Sequence, residues 1–178
     1  MNLTEASEQA KCYVLRDRRG MTNADGGHVS VQRRIAAPAA TIFRVLTDPQ
    51  AHVELDGSGM VRRTSAARTT GVGDVFTMAM HFSALGDYEM DNHVVEFELD
   101  RRIAWEPAPG RGHPEVGSGG RWGHRWRFEL TPDGPDATIV TETYDVSNAP
   151  QAARTTDGGR VWLDAMAATL ARLDERCR

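Results

Sequence analysis

The sequence of 178 residues predicts an α+β fold in which a curved, seven-stranded antiparallel sheet wraps around one long C-terminal helix. Three observations support this prediction. Seven segments have the alternation or composition of β-strands, the last six of them follow one another through short turns, and residues 160–173 have helical periodicity. Because short turns leave no room for crossover helices, neighbouring strands must run antiparallel. A long antiparallel sheet curls, and we expect space between it and the helix.

The N-terminal part of the domain contains the first strand and two short helices. Residues 1–27 are polar, and we expect a poorly ordered extension there, followed by one domain over residues 28–178. The first strand starts at His28 and places alternate residues on an apolar face, where Arg33 is an anomaly. Pro38 begins an amphipathic helix that ends at Asp48, and a second helix runs from Pro49 to about Leu55.

The remaining strands and the closing helix follow from the same periodicities. The helix places its larger apolar residues, Trp162 and Met166 among them, on one face. The six further strands are predicted at residues 60–68, 74–82, 88–99, 102–106, 122–131 and 137–146.

Four stretches of this sequence resemble the START-related superfamily (SRPBCC), which includes the birch pollen allergen and the polyketide cyclases. The resemblance covers about Val29 to Leu173 and implies the helix-grip fold, with a hydrophobic cavity between sheet and helix. The family includes lipid carriers, hormone receptors, aromatase/cyclases and chaperone cofactors, so its motifs specify the fold better than the activity. The matching stretches are VSVQRRIAAPAATIFRVLTDPQAHVELDGSG, GVGDVFTMAM, NHVVEFELDRRIAWEP and WLDAMAATLARL.

Composition favours a small-molecule function over other classes. The 25 acidic and 21 basic residues form no long block of one sign, so we expect no nucleic-acid partner. No apolar run could span a membrane and no signal peptide is evident, so we expect a cytoplasmic protein. Cys12 and Cys177 are expected to be free thiols, with a bridge between the termini as the alternative.

We expect neither a metal nor another cofactor. The six histidines are scattered and include no HExxH or similar ligand pair. The glycines between Pro107 and Arg121 do not follow a strand and open a helix, which a dinucleotide-binding fingerprint requires.

One end of the sheet is expected to carry the mouth of the cavity. Because connections in a meander alternate between the two ends, the segments DGSG, SALGD, 107–121 and 146–159 meet at the same end. The long loop at 107–121 is predicted to be a mobile lid. Asp56 and Ser58 are predicted to lie at the mouth; His52 and Asp56 could pair, and the amides of residues 57–59 could receive a polar ligand group.

Strand parity predicts which residues form the cavity wall. Bulky residues on opposing walls, several of them methionines, favour an adaptable hydrophobic cavity, although a packed core is the alternative. Asn92 could orient a ligand carbonyl or simply bond within its strand. The predicted ligand-binding residues are Phe76, Met78, Met80, Asn92, Ile103, Trp105, Trp122, Trp126, Phe128, Trp162 and Met166.

His124 and Glu142 are the candidate catalytic residues. His124 lies between two tryptophans on the apolar face, where burial would lower its proton affinity; a histidine bonded to a backbone carbonyl or a buried water is the alternative. Glu142 would complete an acid/base pair if it points inward, but parity leaves open whether Glu142 or Thr141 does.

Two functions remain open from the sequence. The first is a carrier or sensor of a polyketide-, lipid- or aromatic-like molecule. The second is a polyketide cyclase, aromatase or dehydratase that uses acid/base residues of the cavity. A protein-interaction module is a weaker third possibility, and we expect either a monomer or a homodimer.

Overall fold

The computed structural model describes residues 21–24, 27–117, 120–149 and 159–178. Three predictions therefore fall partly or wholly on residues outside the described ones: the poorly ordered extension at residues 1–27, the mobile lid at 107–121, and the segment at 146–159 between the last strand and the closing helix. Cys12 also lies outside the described residues, so the alternative of a bridge to Cys177 stays untested.

The described strands form one antiparallel sheet in which all seven predicted strands are present. An additional strand precedes them and pairs with the first predicted strand, which places it at one edge. The strands are β1 (Met21–Ala24), β2 (His28–Ile35), β3 (Val61–Arg63), β4 (Val75–Phe82), β5 (Gly86–Glu98), β6 (Arg102–Pro109), β7 (Arg125–Pro132) and β8 (Thr138–Asp145). Their order across the sheet is β1-β2-β8-β7-β6-β5-β4-β3.

The helices confirm the predicted arrangement of two short helices and one long one. They are α1 (Ala39–Leu46), α2 (Pro49–Leu55) and α3 (Leu163–Cys177), and a 3-10 turn at Arg160–Trp162 leads into α3. Asp48 caps α2, since its carboxylate accepts a hydrogen bond from the Gln50 amide at 3.1 Å. The predicted α+β fold, with α3 packed on the sheet, is confirmed.

The α3 helix packs mainly on β2, α1 and α2. Its fully buried residues Met166, Leu170 and Leu173 belong to the central core. Arg33, the anomaly on the apolar face of β2, donates two hydrogen bonds to Asp174 of α3 at 2.9 and 3.0 Å. The charged residue is therefore part of the contact between helix and sheet.

Gly57 sets how closely α2 approaches α3. A Cβ atom at this position would lie 2.0 Å from the carbonyl oxygen of Ala165, a separation that no side chain tolerates. The Gly57 amide donates to the Thr169 hydroxyl of α3 at 2.9 Å. The loop after α2 is thus held on the helix that forms one wall of the cavity.

Among the strand boundaries that differ from the prediction, two have a local cause. The weak strand predicted at 60–68 is reduced to Val61–Arg63; beyond it the Thr64 hydroxyl binds the Thr77 carbonyl instead of continuing the ladder. The strand predicted from Trp122 begins at Arg125, because Gly123 has a positive φ of 81°, a backbone conformation that interrupts an extended strand.

Candidate functional site

A cavity of about 220 Å³ lies between the inner face of the sheet and the helices α2 and α3. It receives side chains from β4 to β8, from the loops at one end of the sheet, and from α3. Of the site residues predicted from the sequence, all except two line this cavity. Those that line it are Asp56, Ser58, Met78, Met80, Asn92, Trp105, Trp122, His124, Trp126, Phe128, Glu142, Trp162 and Met166.

Phe76 and Ile103 are buried in the core but do not line the cavity. Phe76 packs edge-on against Trp105, with ring centroids 5.5 Å apart. Ile103 is 1% exposed and pairs with Phe128 across the sheet. Both predictions relied on strand parity, and parity identifies the inner face without showing how much of that face borders the cavity.

Aromatic rings form a large part of the cavity wall. Trp105 stacks on Phe128 with centroids 5.7 Å apart and planes 25° apart. Trp126 contacts Tyr144 at 4.5 Å and Trp162 at 5.8 Å. All four tryptophans of the chain border the cavity, so any molecule bound there would touch the residues that dominate the intrinsic fluorescence.

Several cavity residues were missed in the sequence. Tyr88 and Met90 share the inward face of β5 with Asn92, and the same alternation would have identified them. Tyr144 was not missed, because alternation puts it on the same face of β8 as Glu142, and both residues line the cavity. His113 lies in the long loop, where no periodicity exists to predict its direction.

His52 belongs to the cavity wall and not to the local pair expected from its spacing. Its Nε2 atom lies 2.8 Å from the Leu46 carbonyl oxygen, and its ring packs edge-on against Trp105 at 5.3 Å. Burial lowers the pKa of His52, which the Leu46 carbonyl and the nearby carboxylates only partly oppose. The prediction of a His52–Asp56 pair is therefore wrong.

Asp56 instead organises the loop at the mouth. Its carboxylate accepts hydrogen bonds from the Ser58 amide, the Ser58 hydroxyl and the Val61 amide, at distances between 2.7 and 3.0 Å. The Gly57 and Gly59 amides also donate within the protein, to Thr169 and to the Asp56 carbonyl. The amides of residues 57–59 are thus already used, contrary to the expectation that they receive a ligand group.

Glu142 points into the cavity, which decides the orientation of β8 that parity left open. Its side chain is buried, with 4% of its surface exposed, and its Oε2 atom has no hydrogen-bond partner among the described residues. Burial raises the pKa of Glu142 well above the ordinary value of 4.5, and the charge of Asp56 raises it further. Burial therefore favours the protonated, uncharged form of this carboxyl group.

His124 is also an uncharged group of the cavity wall. Its ring stacks on Trp122 at 5.4 Å and lies 5.5 Å from Tyr144. Burial lowers the pKa of His124 to about 4, although the charge of Glu106 acts in the opposite direction. The imidazole is therefore a free base at pH 7.

His124 and Glu142 lie in the same cavity without forming an adjacent pair. Glu142 is opposite Phe128 in the ladder between β7 and β8. His124 precedes Phe128 by four residues, which is about 13 Å along an extended strand. Tyr144, whose ring contacts the His124 ring, lies between them.

Asn92 bonds within the sheet and also borders the cavity, and its role in orienting a ligand carbonyl stays a prediction. Its side-chain amide donates to the Phe76 and Met90 carbonyls at 3.3 and 3.4 Å. The same side chain borders the cavity. These bonds hold the amide in place, and they occupy its nitrogen and not its oxygen.

The first half of the loop between β6 and β7 is tied to the sheet at the mouth. The Glu89 amide donates to the Arg111 carbonyl at 2.8 Å, and the Gly110 amide donates to the Glu89 carbonyl at 2.9 Å. His113 then packs edge-on against both Tyr88 and Trp122. The loop begins three residues later than predicted, because Pro107–Pro109 belong to β6; its role as a mobile lid stays a prediction.

Within the described ranges, no three His, Cys, Asp or Glu side chains are grouped so that they could hold a metal ion. None of the helices in the described part of the chain has both the length and the apolar composition that crossing a membrane requires.

Comparison with known proteins identifies the family. Residues 27–178 match the family described as polyketide cyclase / dehydrase and lipid transport. The uncharacterized protein Rv0088 of Mycobacterium tuberculosis is 35% identical over 126 residues, which cover 70% of this chain and 50% of that protein. The chain thus spans about half the length of the curated relatives that it matches.

Two solved structures illustrate the shared fold. A START superfamily protein from Mycobacterium smegmatis superimposes with a TM-score of 0.58 at 15% identity, covering 84% of this chain and 96% of that one. The Aha1 dimer from Colwellia psychrerythraea superimposes with a TM-score of 0.57 at 21% identity. The match covers 84% of this chain and 95% of that one. Likeness at these identities shows the fold alone, whereas the family match extends over most of the sequence. The chain belongs to the family described as polyketide cyclase / dehydrase and lipid transport, in agreement with the resemblance that its motifs carry.

Proposed function

We propose that this protein binds a hydrophobic small molecule, polyketide-, lipid- or aromatic-like, in the cavity between the sheet and α3. The observation that carries the proposal is the cavity itself, about 220 Å³ with aromatic and methionine walls. Protein interiors are packed about as densely as organic crystals and rarely leave a void much larger than a water molecule. A volume of this size, with few polar groups around it, is typical of a ligand site.

The walls also suit a ligand larger than the present volume. Small-molecule sites commonly measure roughly 300–1,000 Å³, so this cavity is at the small end of the range. Met78, Met80, Met90 and Met166 border it, and their unbranched side chains can change rotamer at little cost. We expect the cavity to enlarge around its ligand by moving these methionines.

Ligand binding is tested with a matched pair of substitutions on α3. Ala165 borders the cavity, and Ala167 lies on the exposed side of the same helix. Replacing Ala165 with Leu places extra carbon atoms in the ligand volume, whereas Ala167→Leu places them in solvent. Titration with 2-acetylnaphthalene, followed by tryptophan fluorescence, should show affinity reduced roughly tenfold or more in Ala165→Leu only.

The measurement has two informative controls. Circular dichroism and thermal unfolding of both variants show whether the helix is intact. If both variants quench and bind as the parent protein does, the probe binds elsewhere and the cavity is not the site. If the parent binds neither this probe nor a panel of fatty acids and flat polycyclic aromatics, the proposal of hydrophobic ligand binding fails.

The second candidate function is that of a polyketide cyclase, aromatase or dehydratase. The observation in its favour is that the cavity contains an uncharged base, His124, and an uncharged carboxylic acid, Glu142. A base beside a bound ketone can remove a proton from the carbon next to the carbonyl, and an acid can stabilise the enolate oxygen that forms. Because Tyr144 lies between the two groups, they would act on separate parts of one ligand.

This activity is tested without knowing the natural substrate. The methyl protons of 2-acetylnaphthalene exchange with D₂O through the enolate, and NMR follows the exchange directly. Catalysis by His124 requires that the parent accelerates this exchange, and that His124→Ala abolishes the acceleration while binding persists. If His124→Ala binds every ligand and turns over every substrate as the parent does, His124 has no essential catalytic role.

Two further properties are part of the proposal. We expect a cytoplasmic protein that is a monomer or a homodimer; the solved Aha1 relative is described as a dimer. Sedimentation velocity at several protein concentrations distinguishes the two assembly states.

A further inference from the structure

We propose that the Glu142 carboxyl group and the Trp162 indole N–H are hydrogen-bond donors for a ligand that is apolar, uncharged and carries an acceptor oxygen, such as a ketone. This inference rests on the proposed function, because it specifies the chemical class of the ligand in the same cavity. It differs from the catalytic hypothesis, because binding by these donors requires no reaction and does not involve His124.

The first support is that each group has a buried polar atom with no hydrogen-bond partner among the described residues. Glu142 Oε2 and Trp162 Nε1 are buried and form no hydrogen bond among the described residues. Buried polar atoms in folded proteins almost always have a partner, since leaving one unsatisfied is costly. The third such atom, Arg127 Nε, belongs to a residue that does not line the cavity. The two orphaned atoms thus belong to residues that line the same cavity.

The second support is the charge around Glu142. Val31 of β2 and Phe128 of β7 flank it in the sheet, and Met166 of α3 borders the same cavity. No arginine or lysine lines the cavity within the described part of the chain. The titratable side chains that do line it are His52, Asp56, Tyr88, His113, His124 and Tyr144.

This surrounding makes Glu142 a donor. Burial and the charge of Asp56 both raise the pKa of Glu142, and no cation in the wall opposes them. Both effects favour the protonated carboxyl group, whose O–H can donate a hydrogen bond to an oxygen atom. The Trp162 N–H can only donate. Two donors in an otherwise apolar wall select a ligand with acceptor oxygens.

The same surrounding disfavours an anionic ligand. A carboxylate in the cavity would find Asp56 at the mouth and no arginine or lysine among the described lining residues. Transfer of an unpaired charge out of water is strongly unfavourable. A ketone, an ester or a phenol fits the cavity, whereas a free fatty acid does not fit it with its carboxylate inward.

Two nearly isosteric probes test the inference. 2-Acetylnaphthalene carries a carbonyl oxygen, and 2-ethylnaphthalene replaces it with hydrogen. The measured quantity is the ratio of their Kd values, compared between the parent and each variant. This ratio removes the general difference in hydrophobicity between the probes, which is the same for every protein.

In Glu142→Leu, the preference for the ketone should fall about tenfold relative to the parent. Glu142→Gln retains an N–H donor and should keep most of the preference. Trp162→Phe retains a ring without the N–H and should lose part of the preference. Glu175→Gln, an exposed change on α3, is the matched control and should leave the ratio unchanged. 2-Naphthoate should bind the parent more weakly than the ketone.

The dependence on pH gives a readout that a merely structural role would not produce. The ketone preference of the parent should decline at alkaline pH as Glu142 loses its proton, whereas that of Glu142→Gln should stay constant. If the ratio is the same in the parent, Glu142→Leu and Trp162→Phe, a bound water satisfies the orphaned atoms and the inference is overturned.

The outcomes separate this inference from the proposed function. If neither naphthalene probe binds, the proposed function fails for this ligand class and the inference fails with it. If both bind but no variant changes their ratio, ligand binding stands and only the donor role is lost. Should Glu142→Leu not fold, Trp162→Phe and the pH dependence of the folded parent still decide the question.

Discussion

Glu142 and Glu96 lie on opposite faces of the same sheet and have opposite chemistry. Glu142 faces the cavity among aromatic rings, and its pKa is raised by burial. Glu96 faces the other side, where Arg125 and Arg127 lie 2.6 and 2.8 Å from its carboxylate. Partial burial would raise the pKa of Glu96, but these arginines, with Arg102, outweigh burial and hold it below its ordinary value.

The difference shows how one strand serves two environments. In β7, Trp126 and Phe128 line the cavity. Arg125 and Arg127, which alternate with them along the strand, form ion pairs on the outer face. Arg125 also pairs with Glu106, so each arginine of the network has a carboxylate partner. The outer face can therefore hold charge that the inner face excludes, although the two are one residue apart in sequence.

The largest effect is expected from removing the inner face of β7. Phe128 is 2% exposed and stacks on Trp105. Phe128→Ala deletes a buried ring and leaves a cavity, which should lower the free energy of unfolding by about 3–5 kcal/mol. Urea denaturation, followed by circular dichroism, measures this change in the free energy of unfolding. A loss below about 1 kcal/mol would mean that the inner face is not tightly packed around Phe128.

The next effect is the acid sensitivity that His124 contributes. The folded-state pKa of His124 is lowered to about 4, from 6.5. The stability that the buried, neutral imidazole contributes is therefore fully present above pH 6.5 and is lost as the pH falls towards 4. His124→Gln should remove about 2 kcal/mol of the decline in unfolding free energy between pH 7 and 4.5.

The decline that remains in His124→Gln comes partly from His52, whose pKa is also lowered. Urea denaturation between pH 7 and 4.5 gives the free energy of unfolding of the parent and of His124→Gln. Parallel stability curves for the parent and the variant would contradict the burial of a neutral His124.

Glu142→Gln is expected to stabilise the protein at neutral and alkaline pH. Because the folded-state pKa is raised, the stability of the parent is complete below the ordinary value of 4.5 and declines as pH rises towards the folded-state pKa. Gln has no proton to lose in the unfolded chain. We expect a gain of about 1–2 kcal/mol at pH 7.5 that shrinks towards pH 4. A gain independent of pH would show that Glu142 does not titrate in this way.

The same substitution on the outer face should have the opposite sign. Glu96→Gln removes the negative charge that three arginines share, so it should destabilise by about 1 kcal/mol at pH 7. A lowered folded-state pKa gives a contribution that is present above the ordinary value and lost as pH falls through the folded-state value. The deficit of Glu96→Gln should therefore disappear in acid. Equal signs for the two variants would break the contrast between the faces.

The smallest effect is expected from Arg127→Ala, beside Phe128 on the same strand. Arg127 is partly exposed and has one ion pair with Glu96, which retains Arg125 and Arg102 as partners. The cost should be below about 1 kcal/mol and should decrease further in 0.5 M NaCl. Denaturation at low and high salt measures it. A cost as large as that of Phe128→Ala would show that the two faces contribute equally.

The periodicity of the sequence was sufficient for most of the fold. Each predicted strand and helix is present. The side chains of Trp126 and Phe128 on β7 line the cavity, as the alternation predicts. The additional strand β1, with the sequence MTNA, has no alternation to predict it. It exists by pairing its backbone with β2, which any sequence can do at the edge of a sheet.

The candidate site was predictable where it follows from alternation and not where it follows from contacts between distant segments. Met78, Trp105 and Phe128 are on the cavity wall as parity predicts. His52 was predicted to pair with Asp56, but its ring reaches the cavity because α2 packs over the sheet beside Trp105. Spacing along a helix shows which residues are neighbours on its surface and not what the helix covers.

The sequence by itself determined seven of the eight described strands, the helices, the inner face of most strands and the resemblance to the family. The tertiary structure alone decided that Glu142 faces the cavity. The register of β8 against β2 sets the Thr143 hydroxyl 2.9 Å from that of Ser30 and Thr141 beside Gln32, and so turns Glu142 to the inner side. The tertiary structure also decided that the pKa of Glu142 is raised. A pKa depends on desolvation and on neighbouring charges, here that of Asp56, which only the folded chain brings near.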